Sequence, residues 1–335
     1  MSVQNLSMVI TRPGGPEVFQ PLTSTLPEPG AGEVRLRVLA AGVSYGDVMM
    51  RLGNVPGSPK QPYAPGYDVV GEVEALGTGV STVQVGVRVA AIGARGGYTT
   101  FLNVKATDLV PVPDGLDPLV AGAAVLNYVT AYQLLHRAVR VSAGQSVLVQ
   151  AAAGGVGTAL LDLGREAGLT LYGTASAGKL DLVRRFGATA LDYRTQDVPA
   201  RVKELSGGGV SAAFDGVGGA SFSKSYAALA AGGRLVVYGF GPAASRGGRG
   251  ALATSFLRVM LFNLRPDGRK VGFHFVDTAR HQDWVREDLG KVFALLAAGN
   301  IQPLVAARLP LRSAAEAHRM LEAGEVRGKL VLIPG

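Results

Sequence analysis

The spacing of apolar residues changes character along this chain. Up to about residue 122 they fall in short β-like runs between Gly/Pro turns, at 8–11, 33–41, 69–76, 88–92 and 99–104. Such spacing predicts a compact, barrel-like β domain. One helical patch at 45–52 interrupts it, and the proline-rich stretch 56–65 reads as a loop. Helical material at 117–135 and a turn at 139–144 lead into a second regime. There, strands at 146–149, 169–173, 189–192, 212–215, 235–238 and 271–275 alternate with helices near 156–167, 179–186, 198–205, 222–229 and 251–262. Regular strand–helix alternation predicts a doubly wound parallel sheet. Val285, Leu289, Val292, Phe293 and Leu296 have the spacing of an amphipathic helix over 284–298. A helix at 314–321 and a strand at 329–333 follow, and this tail reads as a return to the first domain.

The second regime opens on residues 145–179, QSVLVQAAAGGVGTALLDLGREAGLTLYGTASAGK. An apolar strand, a turn of small residues, an Ala/Leu-rich helix and a second strand make half of a dinucleotide-binding fold. Small residues let backbone N–H groups approach a pyrophosphate, and the helix N-terminus offers free donors and a dipole to the anion. Gly157 lets the helix pack closely on the strand. Ala152 stands where the glycine pattern has its first glycine, and the alternative reading is a plain βαβ packing turn. An NAD site places Asp or Glu at the end of the second strand to hold the ribose 2′-OH. Here no carboxylate appears between Gly173 and Asp181, while Ser176, Lys179 and Arg194 suit a 2′-phosphate. NADPH is therefore preferred over NADH. The plainer reading of Lys179 is a solvated residue at a helix start.

Composition narrows the chemistry. The 335 residues suit two domains. The chain contains no cysteine, which removes disulfides, thiolate nucleophiles and cysteine-ligated zinc together, and only four histidines. The net charge of +8 comes from scattered bases. The densest group is Arg246, Arg249, Arg258, Arg265, Arg269 and Lys270, with no aromatic interleaving or nucleic-acid motif. It reads as a solvated surface, so no nucleic-acid partner is expected. The uncharged stretch 119–135 is short for a membrane span and predicts a buried helix. No signal peptide is seen, so a cytoplasmic location is expected.

Several motifs carry a family resemblance: AAGVSYGDVMMRLG at 40–53, PYAPGYDVVGEVEALGTGV at 62–80, GGYTTFLNV at 96–104, NYVTAYQLL at 127–135, QAAAGGVG at 150–157, GTASAGK at 173–179, FDGVGG at 214–219, GFHF at 272–275 and RGKLVLIPG at 327–335. The chain resembles the medium-chain dehydrogenase/reductase superfamily. Within it, the resemblance is to the zinc-free quinone oxidoreductases, including the vesicle amine transport protein-like members. It implies an α/β fold, with a Rossmann doubly wound parallel sheet inserted into a GroES-like β-rich catalytic domain. The expected parts are a first catalytic segment at 1–124, an NADPH-binding domain at 125–265 and a return segment at 266–335. A homodimer with its site in the cleft between domains is also implied. Zinc-dependent relatives carry Cys at the position of Ser44 and His at that of Tyr67. A hydroxyl and a phenol are poor zinc ligands, so no metal is expected.

The resemblance carries cofactor contacts onto Ser44, Thr130, Ala153, Gly154, Gly155, Val156, Gly173, Ser176, Lys179 and Tyr193. Tyr238, Gly239, Phe240, Phe273, His274 and Phe275 are expected to flank the nicotinamide. Ser44 stands where the branch commonly has Asn. Tyr45 and Tyr67 are the candidate catalytic groups, either donating to the acceptor oxygen or forming an aromatic wall. Asp47 reads as a helix or loop anchor, and His274 as a structural histidine or a proton shuttle. Without a metal or an evident base, electrophilic acceptors suit the chain better than alcohols. The expected function is an NADPH-dependent quinone oxidoreductase. The alternatives are an enoyl or 2-alkenal reductase and a non-catalytic NADPH-binding protein.

Overall fold

The computed structural model describes residues 2–55, 58–93, 95–239 and 241–335, with backbone placement alone for 242–249 and 251–253. It divides into two compact units, one formed by Met1–Val129 with Asp277–Gly335, the other by Thr130–Val276. The first boundary falls inside a helix, α2 (Pro118–Tyr132), and the second after the last strand of the inserted unit. The sequence-read boundaries were 124/125 and 265/266.

The first unit is β-rich. Its strands are β1 (Val3–Ile10), β2 (Phe19–Leu26), β3 (Glu33–Val43), β4 (Asp68–Leu76), β5 (Arg88–Ile92), β6 (Phe101–Lys105) and β7 (Leu109–Pro111), joined near the C-terminus by β14 (Val305–Pro310) and β15 (Lys329–Ile333). A seven-stranded sheet runs β14-β15-β3-β4-β5-β7, with β6 also pairing β3, while β1 and β2 form a separate hairpin. The β14–β15 pair is parallel and the others are antiparallel. β3 is central, and its valines, its alanines and Leu36 are all buried. Removing them from water stabilises the unit by about 1.5–3 kcal/mol per large apolar side chain. Two helices complete the part used below, α1 (Tyr45–Arg51) and α9 (Ala314–Ala323).

The second unit holds six parallel strands: β8 (Ser146–Val149), β9 (Thr170–Ala175), β10 (Thr189–Asp192), β11 (Val210–Asp215), β12 (Leu229–Val237) and β13 (Lys270–Phe273). Their spatial order is β10-β9-β8-β11-β12-β13. Counted from β8 this is 3-2-1-4-5-6, the doubly wound dinucleotide-binding order. Local signals fix the helix ends. In α5 (Val198–Ser206) the N-cap Asp197 accepts from Ala200 N–H at 3.2 Å, Pro199 sits in the first turn, and Gly207 at φ 69° stops the helix.

Several elements differ from the sequence reading, three of them for evident local reasons. β2 has one buried residue in eight, so no period-2 apolar signal marked it. β14 alternates half-buried and exposed positions without a strong core face. The helix α7 (Gly241–Asn263) begins ten residues before the expected 251. Glycines oppose a helix by roughly 1 kcal/mol each, which hid its start.

The basic segment is engaged locally. Arg258 donates to Gly219 O at 2.8 Å, Arg269 to Ala230 O at 3.2 Å, and the Arg265 guanidinium lies 5.3 Å from the Tyr226 ring centre. The side chains of Arg246 and Arg249 lie outside the described residues.

Candidate active site

The small-residue turn after β8 is shaped by contacts that leave no room for side chains. Ala151 adopts φ 50°, and Ala152 N–H donates to Thr174 O on β9 at 2.9 Å. Gly154, in extended backbone, caps helix α3 (Gly155–Glu166). A Cβ at Gly157 would lie 2.4 Å from Ala151 O and 2.7 Å from Ala152 Cα. One at Gly173 would lie 2.9 Å from Ala152 Cβ. Helix, turn and neighbouring strand are thus in backbone contact, which directs the first N–H groups of α3 out of the turn. Ala153 is buried, while Gly154, Gly155 and Val156 are half-buried.

Beneath this turn lies a network that sequence reasoning missed. Gln150 accepts from Thr174 Oγ1 at 2.7 Å and donates to Ser225 Oγ at 3.0 Å, and Ser225 donates to Asp215 Oδ2 at 2.7 Å. Asp215 also accepts from Ser221 Oγ at 2.7 Å, Val217 N–H at 2.8 Å and Gly218 N–H at 3.3 Å. Burial raises its carboxyl above the ordinary range, and these hydrogen bonds oppose the rise. The network joins the C-terminal ends of β8, β9 and β11, the edge where such sheets bind ligands. The available signal was a strand-end Asp followed by Gly in FDGVGG.

β9 ends at Ala175, opposite Asp192 at the end of β10. Ser176 follows β9, and Lys179 closes the short turn with its N–H on Ser176 O at 2.8 Å. Tyr193 follows β10, donates its N–H to Ala175 O at 3.3 Å, and is 45% exposed. The Arg194 guanidinium lies 5.7 Å from the Tyr193 ring centre. Ser176, Lys179, Tyr193 and Arg194 therefore leave neighbouring strand ends.

At the other side of this sheet, Tyr238 N–H donates to Asp215 O at 3.1 Å, and its ring covers Gly216, where a Cβ would come within 2.6 Å. Burial raises the Tyr238 phenol. Gly239 packs close to Gly216, and Phe240 lies outside the described residues. His274 donates its N–H to Val237 O at 2.9 Å and lies 3.0 Å through Nε2 from Gln133 Oε1. It thus has a partner within its own unit. Phe273 and Phe275 stack at 6.3 Å. Thr130 is buried at the start of this unit.

Ser44, Tyr45 and Tyr67 belong to the first unit. Tyr45 opens α1, half-buried, and Ser44 caps it. Ser44 N–H donates to Asp47 Oδ2 at 3.0 Å, and Ser44 Oγ lies 2.8 Å from that oxygen and 2.7 Å from Tyr67 Oη. Asp47 is fully buried and also accepts Gly66 N–H at 3.0 Å, which ties α1 to the loop before β4. Burial, followed by the nearby charge of Asp68, pushes its carboxyl up to about 6. Burial also raises Tyr67. Asp68 forms a buried ion pair with Lys329 at 2.8 Å. Among the described residues no group of three or more His, Cys, Asp or Glu has a metal-holding arrangement.

Residues 30–114 match the family described as alcohol dehydrogenase GroES-like domain, and residues 186–332 the family described as zinc-binding dehydrogenase. The rat synaptic vesicle membrane protein VAT-1 homolog is 33% identical over 92% of this chain and 78% of its own length. The quinone oxidoreductase of Pseudomonas aeruginosa is 34% identical over 96% of this chain and 97% of its own. The crystal structure of Escherichia coli quinone oxidoreductase complexed with NADPH superposes with a TM-score of 0.87, at 27% identity, over 98% of this chain and 100% of that one.

Proposed function

This chain belongs to the zinc-free quinone oxidoreductase branch of the medium-chain dehydrogenase/reductase superfamily, and from that premise we propose that it reduces quinones, or similarly electrophilic carbonyl acceptors, with NADPH. It is an oxidoreductase. The observation that carries the choice of cofactor is the glycine cradle, which a single Cβ at Gly157 would fill, followed by a β9 end without a carboxylate.

In this reading Gly154, Gly155 and Val156 hold the pyrophosphate at the α3 N-terminus, with Ala153 and Gly173 keeping the floor low. Ser176 and Lys179, assisted by Arg194, hold the 2′-phosphate, and Tyr193 stacks at the adenine end. Thr130, Tyr238, Gly239, Phe240 and the segment 273–275 serve the nicotinamide end, and Ser44 is proposed as a further cofactor contact. Bound NADPH supplies the hydride. The chain must orient a flat acceptor and provide a proton for the oxygen on which charge develops, and Tyr45 and Tyr67 are the groups proposed for this.

The test is NADPH oxidation with a panel of quinones and 2-alkenals. Turnover of quinones supports the proposal; preference for 2-alkenals replaces it with the enoyl-reductase reading. Tight NADPH binding with no oxidation by any acceptor overturns it. Lys179→Ala is expected to weaken NADPH about 10–100-fold, the loss of one charge-assisted contact, and NADH far less. Equal weakening of both would remove the phosphate assignment.

The proposal extends to a homodimer. Phe256, Leu257, Met260, Leu261 and Leu264 form an exposed apolar row on and just after α7, and Leu264 is 78% exposed. β13 beside it is the terminal strand of its sheet. A second copy would cover the apolar row beside this terminal strand. Met260→Glu is expected to shift the protein to monomer in size-exclusion chromatography, and a wild-type monomer would refute the dimer. We also propose a cytoplasmic location, checked by cell fractionation. By length and composition the helix over Pro118–Val139 is able to cross a membrane, yet 78% of its 18-residue apolar stretch is buried in the protein.

A further inference from the structure

Beyond the contacts of an anchor, the Asp47 carboxyl touches a hydroxyl that leads on to a second hydroxyl. Two backbone N–H groups, of Ser44 and Gly66, hold it at 3.0 Å each. The additional contact is Ser44 Oγ, which stands between Asp47 Oδ2 at 2.8 Å and Tyr67 Oη at 2.7 Å. A serine hydroxyl carries one proton, so it donates to one neighbour and accepts from the other. When Asp47 is ionised, Ser44 donates to it and the Tyr67 proton points inward to Ser44. When Asp47 is protonated the row reverses: Asp47 donates to Ser44, Ser44 donates to Tyr67 Oη, and the phenol proton turns outward. Asp47, at one end of the row, is fully buried, while Tyr67, at the other end, keeps partial exposure. Gly46 makes this possible, because a Cβ there would lie 2.3 Å from Tyr67 Oη.

We propose that Asp47, Ser44 and Tyr67 form a proton relay that carries one proton from the buried Asp47 carboxylic acid to the acceptor oxygen through the Tyr67 phenol. The relay rests on the reductase reading above. Hydride transfer gives the acceptor its electron pair. The acceptor oxygen takes the Tyr67 proton, Tyr67 Oη takes the Ser44 proton, and Ser44 Oγ takes the Asp47 proton. Asp47 remains as a carboxylate held by two N–H groups and regains a proton from water along the same row. No further oxidant or reductant is required. Asp47 is a positioning and proton-supplying residue here, since it acts through the other two.

The surroundings bias Asp47 toward the acid form. Asp68, at the start of β4, opposes its ionisation, while Lys329 on β15 is paired with Asp68. Tyr63, Tyr67 and Tyr98 are phenols raised by burial and stay protonated. Tyr98 Oη lies 3.4 Å from Asp47 Oδ2 and 3.3 Å from His318 Nε2 on α9. Burial and the Arg51 guanidinium hold His318 down to about 3, so it is neutral, and Arg51 itself pairs with Glu322 at 2.7 Å.

The relay is tested by kcat against pH and by the solvent deuterium isotope effect, with NADPH and a quinone. Wild-type kcat is expected to fall as pH rises through about 6, where Asp47 loses its proton. Ser44→Ala leaves Gly66 N–H and the residue-44 N–H on Asp47; it should lower kcat about 10–100-fold, remove that limb and shrink the isotope effect. Ser44→Thr should restore all three, and Asp47→Asn should behave like Ser44→Ala. A Ser44→Ala variant that keeps the wild-type limb and isotope effect overturns the relay, even if Asp47→Asn fails to fold. A second readout needs no turnover. In infrared difference titration of the protein alone, deprotonation of Asp47 should shift the Tyr67 phenol band, and Ser44→Ala should abolish that coupling. A Tyr67 band unmoved by the titration overturns the relay whether or not any quinone is reduced; lack of turnover alone overturns only the reductase reading.

Discussion

Lys329→Met is expected to destabilise the first unit by about 3–5 kcal/mol, the size typical of breaking a buried ion pair from one side. Asp68 and Lys329 open strands β4 and β15, which flank the central strand β3. Their side chains meet above Gly42 of β3, where a Cβ would lie 2.0 Å from Asp68 Oδ2 and 2.6 Å from Lys329 Cε. The glycine is what lets the charges touch. Both groups are almost fully buried, at 0% and 3% exposure, so removing Lys329 leaves a carboxyl that water does not reach. Burial already raises Asp68 above the ordinary range, and Lys329 opposes that rise most strongly. In Lys329→Met its folded-state pKa climbs further above the unfolded value. A carboxyl shifted this way contributes stability that is full below the unfolded pKa and is lost as pH rises through the folded one. The deficit of the variant should therefore be smallest at acid pH, below the ordinary carboxylate range, and deepen as pH rises above it. Trp284, the sole tryptophan, lies in the same unit and reports its urea unfolding. Adding Asp68→Asn should recover more than half of the loss, because both uncompensated groups are then neutral. A single variant within about 1 kcal/mol of wild type at neutral pH would show that the pair is not carrying stability.

Two other positions in the first unit set this chain apart from zinc-dependent relatives. Where zinc-dependent relatives carry a thiolate and an imidazole, this chain carries Ser44 and Tyr67, 2.7 Å apart and joined to Asp47. Two side chains that would converge on a metal instead hydrogen-bond to each other. In the relay proposed above, this row supplies the proton that reduction of a carbonyl acceptor needs, where alcohol oxidation needs a base.

The legibility of these features tracked their range along the chain. β8, β10, β5 and β15 were read with the bounds they have, since each is a compact apolar run between turn residues. The glycine turn was equally legible, and Gly157 was singled out for the close helix–strand approach that its surroundings show. Ser44 and Asp47, one turn apart, carried a local capping signal, and Asp47 was read as an anchor, as its bond to Gly66 N–H bears out. Contacts made at long range left no mark. Nothing near residue 318 announced that His318 would meet Tyr98, and nothing near residue 329 that Lys329 would pair with Asp68. The network of Gln150, Thr174, Ser225 and Asp215 joins three strands and was invisible for the same reason. The hairpin strand β2 was missed because, among the described residues, it pairs with β1 alone and most of its side chains face water.

The second large effect is expected from Gly157→Ala, a change of one methyl group. The new Cβ would meet Ala151 O at 2.4 Å, Ala152 Cα at 2.7 Å and Ala152 C at 2.8 Å. All three are backbone atoms, so no rotamer change relieves the clash. Relief requires either that α3 move off β8 or that the turn deform, and Ala151 already sits at φ 50° with little freedom left. Either movement withdraws the α3 N-terminus from the place where its N–H groups would meet a pyrophosphate. Overpacking of this kind costs about 1–3 kcal/mol, and the lost alignment adds to it, so NADPH affinity should fall by about 100-fold or more. Gly164→Ala is the control on the same helix. Its Cβ would meet Leu171 Cδ2 at 2.7 Å, the end of a side chain that can turn away. That variant should lose a little stability and keep its NADPH affinity. Titration of NADPH fluorescence measures both. If Gly157→Ala binds NADPH within about threefold of wild type, α3 does not present its N-terminus to the cofactor and the cradle must be sought elsewhere.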